Sequence, residues 1–328
     1  MIKLLDDERL IYKCCSLYYD EGKSQQEICN LLGVSRPSVS RMLKQGRDLG
    51  IVRIEVINPA QPAFNATERW LERRFGLKEA VVVANDERRD ADAPAYTILA
   101  GAALQYLSRV LRNGEYIGIS MGWTLLQTAK AEASSVPPVH CTFVPLVGGV
   151  GEGIETHANF LAGEFARRFG GQRLQLYSPA IFTNPAVLSG FRREQAVRAV
   201  FDSYDRLDAI VFGIGLPDSS RSTAVRLHYI EAEMLDDLAA MGAVGDISLQ
   251  YYDKDGRTEP FAAYNRHVAG LSLADFASVP RRIAIAGGAC KAAAVLGALR
   301  GGYVNVLITD EACAEGICEM VQAENREE

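Results

Sequence analysis

The sequence predicts an α/β protein: a short run of helices, then a large, doubly wound and mostly parallel sheet. Three observations carry that expectation. Apolar residues in the first fifty positions recur at helical spacing. Beyond residue 66, short β-branched runs alternate with helical stretches of roughly 10 to 20 residues, the pattern of a parallel sheet covered by helices. Between the two blocks, Asn58-Pro59-Ala60-Gln61-Pro62 ends regular structure, because neither proline can donate to a ladder. The chain has 328 residues, 48% of them hydrophobic, more than one domain usually holds. The expected division is 1–57, a linker at 58–66, and 67–328.

The N-terminal elements follow in order. Leu10, Ile11, Cys14, Leu17 and Tyr18 mark a first amphipathic helix over residues 8–19. Ser24 and Glu27 form a capping box, so a second helix starts near Gln25. Gly33 interrupts it, Ser35 is placed to cap a third helix, and Pro37 falls in the first turn, where a missing N–H costs nothing. Ile28, Leu32, Val34, Val39 and Met42 are the facing apolar positions, Cys29 is small, and Gly33 tolerates a left-handed backbone. Together these make a helix-turn-helix.

Its front carries Ser35, Arg36, Pro37, Ser38, Ser40, Arg41 and Lys44. The net charge of the chain is −6, yet residues 33–53 hold five Lys/Arg against one Asp. Arg can fork onto guanine, Ser can meet bases or phosphates, and a helix N-terminus favours a phosphate, so DNA is the expected partner. A solvated basic face of a packing module, or a surface for an acidic protein, is the alternative. Residues 51–57 read as a short strand.

In the larger block, strands are expected at 80–84, 116–120, 141–147, 173–177, 209–214, 244–251, 282–286 and 304–309. Helices are expected at 97–111, 123–133, 156–169, 193–204, 229–241 and 290–299. Ligands of such sheets sit beyond the carboxyl ends of the strands. Four loops there are rich in glycine: Gly118-Ile-Ser-Met-Gly-Trp-Thr124, Val147-Gly-Gly-Val-Gly-Glu-Gly153, Gly213-Ile-Gly-Leu-Pro-Asp218 and Ala286-Gly-Gly-Ala-Cys-Lys291. Ser120 and Thr124 add hydroxyls before a helix and Lys291 adds a charge, which predicts a phosphate-binding pocket.

No loop has dinucleotide or nucleoside-triphosphate spacing. His140, His157, His228 and His267 are too dispersed for a metal or for proton transfer, so neither cofactor nor metal is expected. Seven cysteines without paired spacing suit a reducing cytoplasm, and no apolar run is long enough to cross a bilayer. A sugar-phosphate isomerase or deaminase, using Asp246, Asp310 or Glu311 with a His, is the rival class.

Nearly the whole chain resembles the SorC family of sugar-responsive regulators, the branch related to DeoR of bacilli. The likeness rests on QQEICNLLGVSRPSVSRMLKQGRDLGIVRI from Gln25, the GISMGWT loop, the PLVGG run to Gly149, GAVGDISLQYYDKDGR from Gly242, and AGGACKAAAVLGALRGGYVNVLITDEACA from Ala286. The resemblance implies a homotetrameric repressor or activator with a phosphosugar isomerase-like effector domain and a phosphorylated sugar as inducer. Carried over by motif, Ser120, Met121, Gly122, Trp123 and Thr124 hold the phosphate, and Gly148, Gly149, Asp246 and Lys291 line the same pocket.

Overall fold

The computed structural model describes residues 8–53, 64–86, 89–90, 93–94, 97–132, 136, 138–149 and 154–327. The chain divides into two units, 1–63 and 64–328. In the smaller unit, helices α1 (Glu8–Tyr19), α2 (Gln25–Leu32) and α3 (Arg36–Asp48) enclose Ile11, Cys14, Cys15, Leu17, Ile28, Cys29, Val39, Met42 and Leu43. The capping box forms: Ser24 N–H donates to Glu27 Oε2 at 2.8 Å, and Glu27 N–H to Ser24 Oγ at 3.3 Å. Gly33 closes α2 with φ of 64°. Gly46, a position the sequence reading passed over, lets α3 pack against α1, since a Cβ there would lie 2.3 Å from Cys15 Sγ.

Three N-terminal expectations change. Ser35 occupies the cap position of α3 but makes no side-chain cap; its Oγ lies 2.9 Å from Ser38 Oγ instead. Residues 51–53 are not strand: Val52 N–H turns back to Gly46 O at 3.0 Å, and positions 54–57 lie outside the described residues. Positions 58–63 of the expected linker are likewise outside them, and helix α4 (Asn65–Phe75) begins within its last two positions.

The larger unit is built on seven strands: β1 (Glu79–Val83), β2 (Tyr116–Ile119), β3 (Thr142–Pro145), β4 (Gln172–Arg173), β5 (Leu207–Phe212), β6 (Arg281–Ile285) and β7 (Val306–Asp310). Their order is β1-β7-β6-β5-β2-β3-β4 and every pair is parallel. Alternate residues serve opposite faces, as a pleated backbone requires. Ile117, Ile119, Val211, Ile285 and Ile308 pack with helices α5 (Thr97–Val110), α6 (Trp123–Lys130) and α7 (Ala158–Phe169). Val82, Val144, Ile210, Phe212, Ala284 and Leu307 pack with α4, α8 (Gln195–Ser203), α10 (Ala292–Arg300) and α11 (Glu311–Glu327).

Two strand expectations are corrected. Residues 244–251 do not join the sheet; Gly245–Ile247 and Gln250–Tyr252 fold into an antiparallel hairpin of their own. Ser248 and Leu249 turn it with φ of 52° and 66°, a tight two-residue hairpin turn. The expected strand at 173–177 reduces to Gln172–Arg173, because an edge position offers only β3 as a partner.

From β2 the chain proceeds to β3 and β4 on one side; from β5 it proceeds to β6 and β7 on the other. The switch point is therefore the crevice between the carboxyl ends of β2 and β5, where open α/β sheets bind ligands. A satellite core roofs this end: Leu235 and Leu238 of α9 (Ala232–Ala240), Leu249, Tyr251, Phe261 and Val268 pack with Val147, Ala158 and Ala180.

Candidate functional site

On α3 the residues behind the expected face are buried: Val39, Met42, Leu43 and Gly46. Arg36, Pro37, Ser40, Arg41 and Lys44 are exposed in front of them, and Ser38 is half-buried. Spacings of three and four place these side chains on one side of a helix. The Ser35 side chain does not cap α3, but Pro37 has no N–H and Ser38 N–H donates to Ser35 O at 2.9 Å, so the first turn offers an anion little beyond the Arg36 N–H.

At the switch point, β2 runs straight into Ser120, whose buried Oγ lies 2.8 Å from Ser248 Oγ in the hairpin turn. Gly122, with φ of 124°, begins α6 and donates its N–H to Thr156 O. Thr124 is buried in the first turn, and Met121 packs on the satellite core while Trp123 packs on the α6 face of the sheet. Gly148 and Gly149 are where two backbones nearly touch: a Cβ on Gly148 would lie 2.3 Å from Pro179 O. Their N–H groups donate to Ala269 O and Ser178 O. The rest of that loop, 150–153, lies outside the described residues.

Asp246 belongs to the hairpin and bridges to the loop after β5. Gly215 N–H donates to Asp246 O at 2.9 Å, and a Cβ on Gly215 would fall 1.9 Å from Asp246 Oδ1. Asp246 Oδ2 also accepts Leu249 N–H at 3.1 Å, holding the strained turn. Lys291 lies in a 3-10 turn before α10, not within the helix, and its Nζ donates to Ile214 O at 2.6 Å. Burial lowers the Lys291 pKa, against the pull of Cys290 and of Asp246 beside it. Ser120, Asp246 and Lys291 thus meet through Ser248 and through Ile214 and Gly215 of the glycine-rich loop at 213–218.

Burial pushes the Asp246 carboxyl up to about 6, with Leu249 N–H and Lys291 opposing the rise. An unfolded Asp titrates near 3.9, so the folded chain binds the proton more tightly and the carboxylate costs stability as pH rises from about 4 to 6. Asn at this position keeps an oxygen for Leu249 N–H and removes the titration. Relative to wild type, Asp246→Asn is expected to gain about 1–2 kcal/mol between pH 4 and pH 7, read by urea unfolding without effector. A difference that stays flat with pH would contradict this.

Asp310, His140 and His267 make backbone contacts of their own. Asp310 accepts Gly288 N–H at 2.7 Å and Cys313 N–H at 2.9 Å, tying the loop after β6 to the start of α11. His140 Nδ1 lies 3.0 Å from Gly170 O, and His267 Nδ1 lies 2.6 Å from Phe182 O. Among the described residues no helix is long and apolar enough to cross a membrane.

The Sugar-bind family model, which describes a sugar-binding domain, matches residues 62–319. The sorbitol operon regulator of Klebsiella pneumoniae is 33% identical over 314 residues, covering 94% of this chain and 98% of that one. The deoxyribonucleoside regulator of Bacillus subtilis is 29% identical, with 95% and 98% covered. The crystal structure of the full-length Klebsiella regulator, SorC, matches with a TM-score of 0.68 at 29% identity over 95% of this chain and 99% of that one.

Proposed function

This chain belongs to the SorC family of sugar-binding transcriptional regulators, and from that premise we propose that α3 reads an operator whose occupancy is set by a carbohydrate effector in the β2/β5 crevice. It is a regulator rather than an enzyme. The operator controls a carbohydrate or polyol catabolic operon, the effector is a sugar, polyol or sugar phosphate, and the protein works in the cytoplasm without cofactor or metal. The observation that carries the reading is the single exposed face of Arg36, Pro37, Ser40, Arg41 and Lys44 with the apolar side of α3 sealed behind it. A phosphorylated effector is supported by the uncapped start of α6 at Gly122 and by Lys291.

The active form is a homotetramer, a dimer of dimers. Two-fold partners must match half-sites, so an effector that favours one arrangement of subunits changes the spacing of paired recognition helices and with it operator affinity. The test is a titration of DNA carrying the promoter beside the protein's own gene, repeated across salt and with candidate effectors selected by thermal shift. Arg41→Ala is expected to weaken specific binding by about 10- to 100-fold, the worth of a fork to guanine. Wild-type affinity in that variant, or affinity indifferent to every saturating effector, contradicts the proposal.

A further inference from the structure

Of the buried side-chain polar atoms without a hydrogen-bond partner among the described residues, three belong to aromatic residues near the carboxyl end of the sheet: Trp123 Nε1, Tyr229 Oη and Tyr264 Oη. Their placement is specific. Tyr229 Oη lies 2.8 Å from where a Cβ on Gly149 would sit, and its ring meets the His157 ring at 5.6 Å and 55°. Tyr264 stands edge-on to Tyr251 at 5.3 Å, close enough to Asp246 to feel its charge. Trp123 opens α6, directly after Gly122. Tyr229 and Tyr264 both pack on the satellite core, beside Met121.

The backbone is also shaped to deliver Tyr229. His228, the residue before it, takes a left-handed φ of 56° at the end of the short helix Thr223–Arg226. His228 N–H donates to Val225 O and Tyr229 N–H to Ala224 O, a helix-ending turn that fixes where the Tyr229 ring leaves the backbone. A buried donor left unpaired costs about 1–3 kcal/mol, and folded proteins keep few of them. Three near the same end of the sheet point to a partner that arrives with the ligand. All three are neutral donors, matched to uncharged oxygens rather than to a phosphate dianion, which Lys291 and the start of α6 suit better.

We propose that Tyr229 and Tyr264, with the indole N–H of Trp123, read hydroxyl groups of the effector's carbon chain, so that the effector is polyhydroxylated with at least two free hydroxyls apart from any phosphate. This rests on the carbohydrate reading above and assigns the residues that set its specificity. Tyr229→Phe and Tyr264→Phe remove only the donors. The probes are hexitols, ketohexoses and their phosphates; the tightest binder to wild type is then compared with its single-deoxy analogues by calorimetry. Each Phe variant is expected to bind the full probe about three- to ten-fold more weakly than wild type. It should bind the analogue lacking the hydroxyl it reads as well as wild type does. Effector-free melting temperatures of both variants should equal or exceed that of wild type, because no native bond is lost. Wild-type affinity for the full probe in both variants, or an equal loss for every deoxy analogue, overturns the assignment and leaves the carbohydrate reading standing. Failure of wild type to bind any probe overturns both.

Discussion

Gly46→Val is expected to abolish operator binding while effector binding by the larger unit persists. The added Cβ would sit 2.3 Å from Cys15 Sγ and 3.5 Å from Ile11 Cγ2, closer to the sulfur than non-bonded atoms come. Cys15 and Ile11 are buried in the only core this unit has among the described residues, so neither can swing out to solvent. Overpacking of this kind costs about 1–3 kcal/mol, and a small three-helix unit has little stability to lose. Fluorescence anisotropy on operator DNA, with helix content followed by circular dichroism, measures the effect. Because the clash is with one sulfur, Gly46→Ala combined with Cys15→Ala should recover binding that Gly46→Ala alone impairs. Native affinity in Gly46→Val, or no recovery in the double variant, would show that the α1–α3 approach is not limiting.

Lys291→Met is expected to raise the concentration of a phosphorylated effector needed to shift operator occupancy by at least about 30-fold, with effector-free operator affinity retained. The ammonium is held at Ile214 O next to Asp246, inside a site whose charges are largely desolvated. Taking away the cation that faces a desolvated phosphate costs about 2–5 kcal/mol of binding, and 2 kcal/mol is about 30-fold in affinity. Titration of effector into a preformed protein–operator complex reads the change. An unchanged midpoint would remove Lys291 from the effector site.

The legible features were those whose partners lie within a few residues. Ser24 and Glu27 are three positions apart and Gly33 acts on its own φ, so the capping box and the turn follow from local chemistry. The inner parallel strands were readable because each is an apolar run buried on both faces, unlike the exposed edge pair Gln172–Arg173. The hairpin at 245–252 was read as one strand for a physical reason: its turn is Ser248-Leu249, and neither residue signals the positive φ that both adopt. The edge strand was overextended because apolar periodicity does not say how many neighbours a strand will find.

The glycine loops show where such reading stops. Their composition suggested backbone amides open to an anion, yet the N–H groups of Gly122, Gly148, Gly149, Gly215 and Gly288 donate to Thr156, Ala269, Ser178, Asp246 and Asp310. Whether a glycine amide faces a ligand or a carbonyl depends on segments up to about 120 residues away. The sequence by itself determined the fold class, the basic face of α3 and the membership of Ser120 and Lys291 in strand-end loops, because each depends on residue type and local spacing. Only the tertiary structure decided that Gly46 sets the α1–α3 distance, that Gly215 admits Asp246, and that Trp123, Tyr229 and Tyr264 are left with unpaired buried donors, because close approach and unmet hydrogen bonds exist only once distant segments are packed.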